Sequence, residues 1–293
     1  MDREWNNSQL EIQSQSTHGP QSLRTRFNDS YLAQRILPFF RAQMAGIDQG
    51  YENKPGWRTP MHDNPGRVAG LWYLLIVLLG PLRLIYIPNT LFVKGNAALT
   101  VANIGAHQAL FRAGIVSDLI GSVVLVLLVL AFYRLFRGVD QNLAVQVVIF
   151  GGIMPALLNF VGVAGDIAAL AIVRGTEFLS VFSQSQRDAL AMLLLDLRHH
   201  QYTAAEILWG VWLFPLGSLI YKSRIIPRFL GVWLVLGGLS YLALSFTGVM
   251  FPAYQGKVFE VSQPAMFGEL ALMLWLVIKG ARPLSHAAES ART

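Results

Sequence analysis

Five ionisable side chains interrupt the long apolar segments of this sequence, and they are its strongest candidates for chemistry. They are Arg83, Asp118, Asp166, Glu206 and Glu269. A charged side chain inside a bilayer is costly, so such residues pair with one another, line a cavity or serve function directly. Three uncharged polar residues occur in the same kind of segment: Asn159, Ser245 and Thr247.

Most of these side chains are predicted to share one depth in the membrane. Arg83, Asp118 and Glu206 each lie 16 residues from a basic residue at the cytoplasmic end of their segment. That spacing corresponds to about 24 Å of straight helix, and Asn159 falls at nearly the same level. Glu269 lies closer to the midplane. Asp166 is expected at or beyond the outer boundary.

This layer predicts a polar cavity that opens to the extracytoplasmic side. Its candidate lining residues are Arg83, Asp118, Asn159, Glu206 and Glu269, with Arg112 near them. The alternative is that each carboxylate pairs with an arginine and only holds helices together, and for Arg83 with Asp118 both interpretations stand. Three carboxylates face one well-buried arginine, so either one carboxyl is protonated or a cation binds.

Other kinds of site have little support in the sequence. The chain has no cysteine, which excludes disulfides and thiolate metal sites. It contains no HExxH, GxSxG, GxGxxG or phosphate-loop motif, and His199 and His200 are predicted to face water. We therefore expect no metal and no cofactor, and the residues favour a non-catalytic role. Gly210, Gly217 and 237–238 are predicted to be close helix-packing points.

The elements that position these residues are membrane-spanning helices. The composition is 54% hydrophobic and only 14% charged, against about 25% charged in soluble domains. A crossing needs roughly 20 mostly apolar residues, and six stretches qualify: 68–90, 110–135, 142–173, 203–221, 229–250 and 264–280. The predicted fold class is an all-α, polytopic six-helix transmembrane bundle.

One stretch leaves room for a seventh crossing, and one short segment is predicted not to cross. The third stretch is long and contains Pro155, so a tilt or kink is expected there, or a split into two crossings. The segment 188–197 is apolar but short, and it predicts an interfacial or re-entrant helix that leads into the fourth span.

The distribution of basic residues predicts that both termini are cytoplasmic. Short basic loops alternate with long, weakly charged ones, as the positive-inside rule requires of six spans. The predicted cytoplasmic side holds Arg58, Arg67, Arg134, Arg137, Lys222, Arg224, Arg228, Lys279 and Arg282. The other side holds Lys94, Arg174, Arg187, Arg198 and Lys257.

The chain is predicted to have three parts. Residues 1–66 form a polar cytoplasmic tail, largely disordered, in which 31–44 is either a short amphipathic helix on the membrane surface or a linker. Residues 67–281 form the six-span domain. Residues 282–293 form a short cytoplasmic tail.

Three motifs carry a resemblance to a known family. They are FR-x-G-x-x-x-D at 111–118, the pair PLG at 215–217 and PR-x-LG at 227–231, and Gly268-Glu269. With their surroundings, over about 66–281, they resemble a bacterial family of integral membrane proteins catalogued as domain of unknown function 4386. Related chains often carry a histidine where Arg198 stands. The resemblance implies the architecture and the polar residues to test, and it implies no reaction.

Three functions are compatible with the sequence. The first is binding or passage of a small solute, lipid or ion in the cavity. The second is a scaffold or accessory subunit whose polar layer serves only assembly. The third is a membrane enzyme that modifies lipids with Asp118, Glu206 or Glu269. The expected surroundings are the lipids of the cell membrane, with a small molecule or ion as ligand and no nucleic acid.

Overall fold

The computed structural model describes residues 64–282, which form helices joined by short connections. No β-strand occurs among these residues, and the predicted all-α fold class is confirmed. The predictions for the N-terminal tail, including the helix over 31–44, concern residues outside this range. The same holds for the C-terminal tail beyond Arg282.

Six helices are long and apolar enough to cross a membrane, so the chain is a multi-pass membrane protein. With one shorter helix they are α1 (Pro65–Leu91), α2 (Ala97–Ala106), α3 (Gln108–Phe136), α4 (Gln141–Val173), α5 (Gln184–Ser223), α6 (Arg228–Met250) and α7 (Pro252–Ile278). Helix α2 has 10 residues, about half of what a crossing requires. Residues 64–282 therefore contain no seventh crossing.

The six long helices form a closed helical ring. Each packs against its neighbours in the chain, and α7 packs against α1 to complete the ring. Large apolar side chains remain exposed on every long helix, among them Leu78, Val123, Val161, Leu193, Phe229 and Val261. An outer surface of this kind suits lipid tails, which are as apolar as the side chains themselves.

The fourth span differs most from its prediction. Helix α5 runs through both 188–197 and 203–221 as one segment of 40 residues, with an irregular turn at Trp212. It begins after Ser183, which forms a capping box with Gln186. The segment 188–197 leads into the fourth span, as predicted, and no break separates the two. The polar run that starts at Arg198 does not end the helix, because Arg198 has buried partners.

Two spanning helices contain a π-helical turn just before a proline. Leu82–Tyr86 in α1 precedes Pro88, and Ile149–Ile153 in α4 precedes Pro155. Proline cannot donate to the carbonyl four residues earlier, and its ring collides with that carbonyl. The wider π turn gives the carbonyl room, so each helix continues through its proline. The irregularity predicted near Pro155 is this turn, and Arg83 lies in the other one.

Glycines allow α5 and α6 to approach closely. A Cβ added to Gly210 would lie 2.6 Å from the Gly238 carbonyl oxygen. One added to Gly217 would lie 2.6 Å from the carbonyl oxygen of Gly231. The predicted packing role of these glycines is confirmed, because any side chain there would push the two backbones apart.

Contacts between loops fit an even number of crossings. At the two ends of the described chain, the Gly66 N–H donates to the Ala281 carbonyl at 3.0 Å, and the Ala281 N–H donates to Asn64 Oδ1 at 3.0 Å. Lys222 Nζ lies 2.9 Å from Asp140 Oδ2 and joins the end of α5 to the turn after α3. This ammonium holds the pKa of Asp140 below its ordinary value.

Two apolar cores occupy the helical ring. The larger core is built around Phe132, Trp212 and Leu216. The smaller core contains Phe111 and is covered by Ile104 of α2. The two cores have no residue in common. The candidate site lies between them.

Candidate functional site

The candidate site is a cavity of about 260 Å³ within the helical ring. Along α1, the residues that line the cavity come after Ala69, which belongs to the larger core, and before Ile87, which belongs to the smaller core. The cavity therefore lies between the two cores. Most of the lining is apolar. Its charged groups occur at two places, one at Arg83 and the other at Glu269.

Two arginines and two aspartates form an ion-pair cluster at the first of these places. Arg83 Nε lies 2.9 Å from Asp118 Oδ2, and Arg83 Nη2 also contacts Asp166 Oδ2. Arg198 Nη2 lies 2.7 Å from Asp118 Oδ2, and Arg198 Nε lies 3.6 Å from Asp166 Oδ2. No member is more than 11% exposed. Since each arginine contacts both carboxylates, the four charges cancel.

Neutral side chains add hydrogen bonds to the ion-pair cluster, while Asp166 Oδ1 and Arg198 Nε have no hydrogen-bond partner among residues 64–282. Arg198 Nη2 donates to Asn159 Oδ1 at 2.7 Å and to the Tyr202 hydroxyl at 2.9 Å. Asn159 Nδ2 donates in turn to the Asp118 carbonyl at 3.0 Å and to the Ser122 hydroxyl at 2.8 Å. Burying charges is favourable only when such bonds satisfy them, so the cluster is well suited to hold α1, α3, α4 and α5 together.

Glu269 lies at the second place and has no cationic partner. The Tyr73 hydroxyl donates to Glu269 Oε2. Tyr241 lines the same cavity as Glu269. No lysine, arginine or histidine of residues 64–282 forms an ion pair with it. The hydrogen bond from Tyr73 does not neutralise a charge on this carboxyl.

Aromatic side chains connect the two charged places along the cavity. The ring centre of Tyr202 lies 6.3 Å from that of Trp209, which lies 6.0 Å from that of Tyr241. The Tyr73 ring centre lies 6.4 Å from that of Trp212. All five line the cavity, and together they are called the aromatic wall here.

Four of the six residues predicted for the site line this cavity: Arg83, Asp118, Asn159 and Glu269. The structure places the other two elsewhere. Glu206 is half-buried on α5 outside the lining, and its Oε2 has no hydrogen-bond partner among residues 64–282. Arg112 is exposed and outside the lining. No three His, Asp or Glu side chains in the described range are grouped as metal ligands.

Two members of the ion-pair cluster are not among the residues predicted for the site. Asp166 is fully buried, and Arg198 lies inside the helical ring instead of in an outer loop. The prediction of a single buried arginine is therefore wrong. Two signals point to Arg198: Gln201 and Tyr202 share its helix face at spacings of three and four, and Gly162 leaves space for its guanidinium.

Comparison with known proteins places the chain in a family. A sequence model described as "Domain of unknown function (DUF4386)" matches residues 68–280. The chain belongs to this family. The matched range runs from the first turn of α1 past the end of α7, so it includes the cavity, the ion-pair cluster and Glu269.

One protein of known source is similar in sequence to part of this chain. A protein of Archaeoglobus fulgidus described as "Uncharacterized protein" is 28% identical over 156 residues, which is 53% of this chain and 76% of that protein. No solved structure matches the chain. The family description carries no activity, so function is inferred from the site itself.

Proposed function

We propose that this protein binds a small molecule with an apolar body inside the cavity, within the cell membrane. The observation that carries the proposal is the cavity itself, about 260 Å³ in size and lined by the aromatic wall and by Glu269. Protein interiors are close-packed, and unfilled space in them costs stability. A bundle that served only assembly would gain by closing this space.

Size and access both favour a small ligand. Pockets for drug-sized ligands measure about 300–1,000 Å³, so a cavity of about 260 Å³ takes something smaller. Leu84 of α1 lines the cavity and is also 54% exposed, so the cavity reaches the surface of the helical ring. A molecule with an apolar body can enter from the lipid by this side.

A scaffold role is the second candidate, and the ion-pair cluster is the observation that favours it. Its four charges balance one another without a ligand. The cluster does not explain Glu269, which lies away from it and has no cation. The lipid-modifying enzyme gains less support, because Asp118 is held by both arginines and Glu206 lies outside the cavity lining.

Two matched glycines test the binding proposal. Gly121 lines the cavity and Gly165 does not, yet both are half-buried in helices and a Cβ at either would meet nothing within 4 Å. We expect Gly121→Leu to fill the cavity and abolish any molecule that co-purifies with the protein. Gly165→Leu should retain it. The measurement is native mass spectrometry after detergent extraction.

Two results would contradict the proposal. The first is a bound molecule that persists unchanged in Gly121→Leu. The second is a wild-type protein that carries no bound molecule.

A further inference from the structure

Glu269 is a carboxyl of the cavity lining that has no cationic partner among residues 64–282. The ion-pair cluster is neutral by itself, because its two arginines contact its two aspartates. Glu206 is a second half-buried carboxyl, on α5 and outside the cavity lining. Neither glutamate forms an ion pair within residues 64–282. A ligand with a positive charge would balance this region.

The aromatic wall supplies the second element of a cation site. Tyr73 donates a hydrogen bond to Glu269, and Trp212 packs against Tyr73. Trp209 packs against Tyr241, and all four rings line the same cavity as Glu269. The faces of tryptophan and tyrosine rings attract ammonium groups, most strongly where water is excluded. A carboxylate among such rings is the arrangement that recognises an ammonium group with attached carbon.

The rest of the lining disfavours a calcium ion and an anion. A calcium ion takes six to eight oxygen ligands, whereas Glu269 is the one carboxyl of the lining outside the ion-pair cluster in the described chain. An anion would meet Glu269 without an unpaired arginine to hold it. The apolar middle of the cavity suits hydrocarbon.

We infer that the cavity ligand is a small organic cation. Its ammonium group contacts Glu269 and the aromatic wall, and its apolar body occupies the middle of the cavity toward the ion-pair cluster. This inference rests on the proposed function and names its ligand class.

Three probes that differ in charge test the inference. Benzyltrimethylammonium is the cation, neopentylbenzene is its uncharged counterpart of the same shape, and phenylacetate is an anion of similar size. Binding is measured by tryptophan fluorescence on the full chain in lipid nanodiscs, with empty nanodiscs as the blank. We expect the wild type to bind the cation roughly tenfold more tightly than the neutral probe.

Glu269→Gln should remove this preference, so that the cation binds no better than the neutral probe, whose own affinity is unchanged. Glu260 is an exposed glutamate on the same helix, outside the cavity lining, and Glu260→Gln should keep the preference. If Glu269→Gln does not fold, Trp209→Leu takes its place, and the cation must lose more affinity than the neutral probe.

The outcomes separate this inference from the proposed function. Equal binding of cation and neutral probe by the wild type would overturn the inference and leave a binding cavity. Tighter binding of phenylacetate, or an unchanged cation preference in Glu269→Gln, would also overturn it. Binding of no probe, together with no effect of Gly121→Leu on co-purifying molecules, would overturn both.

Discussion

At the residue scale, the charges inside the helical ring fall into two kinds. Arg83, Arg198, Asp118 and Asp166 each contact two opposite charges, so removal of any one leaves a partner unbalanced. Glu269 accepts a hydrogen bond from Tyr73. Because it has no cationic partner among residues 64–282, its replacement by a neutral residue leaves no partner charge unbalanced. Substitutions that remove charge should therefore have different effects at the two places.

Arg83 and Asp118 should behave as a coupled pair. Arg83→Gln or Asp118→Asn alone leaves an unbalanced charge in the membrane and should cost about 3–5 kcal/mol of unfolding free energy. The double variant leaves Arg198 with Asp166, 3.6 Å apart and neutral together, so most of the loss should return. Unfolding of both single variants and the double variant in detergent measures the coupling, and additive losses would contradict it.

Glu269→Gln should leave the protein folded and remove its ligand. Glutamine has nearly the same volume and can still accept the hydrogen bond from Tyr73, so we expect little change in the unfolding temperature. Native mass spectrometry of the same sample should show that the co-purifying molecule is lost. A stability loss as large as that of Arg83→Gln would favour the scaffold role instead.

At the scale of elements, the continuity of α5 decides the site. Because α5 passes through 188–197 without a break, Arg198 enters the helical ring and reaches carboxylates on α3 and α4. The π-helical turn in α1 contains Arg83, the other arginine of the ion-pair cluster. Such turns are frequent at functional sites because they redirect side chains without ending the helix.

The contact between α4 and α5 should depend on the absence of a side chain at Gly162. A Cβ there would overlap Arg198 Nη1, whereas a Cβ at Gly165, one turn later, would meet nothing within 4 Å. We expect Gly162→Ala to cost about 1–3 kcal/mol through this overlap. Gly165→Ala should be neutral or stabilising by about 0.5–1 kcal/mol, because it favours the helix. Thermal unfolding measures both, and equal effects would contradict the prediction.

At the scale of the whole molecule, the closed helical ring explains why a cavity exists. Helices that pack mainly against two neighbours each enclose a central space that side chains must fill. Aromatic and aliphatic residues fill it at the two cores and leave the middle open. The cavity is therefore a property of the ring and of no single helix.

The orientation of the helical ring in the membrane stays a prediction of the sequence. Reporter fusions after Arg137 and after Arg224 should both be cytoplasmic, because the basic residues beside them are retained on that side. A fusion after Lys257, in the first turns of α7, should be on the opposite side. An external signal from either of the first two fusions would contradict the N-in, C-in topology.

The sequence by itself determined the fold class, the six spans and much of the site. In lipid every backbone polar group must bond internally, so six apolar runs of sufficient length can form only helices. Depth follows from the rise per residue, so counting from the cytoplasmic end of each span grouped Arg83, Asp118 and Asn159, which line one cavity.

The tertiary structure alone decided which polar groups meet. The depth of a side chain in the membrane is one coordinate of its position. The rotation of its helix about the helix axis and the choice of neighbouring helices determine which side chains it contacts. Glu206 shares the predicted depth of Arg83 yet lies outside the cavity lining. Arg198 and Asp166 join the ion-pair cluster because α4 and α5 pack side by side. Partners of buried charges depend on helix packing, which is determined by contacts between residues far apart in the chain.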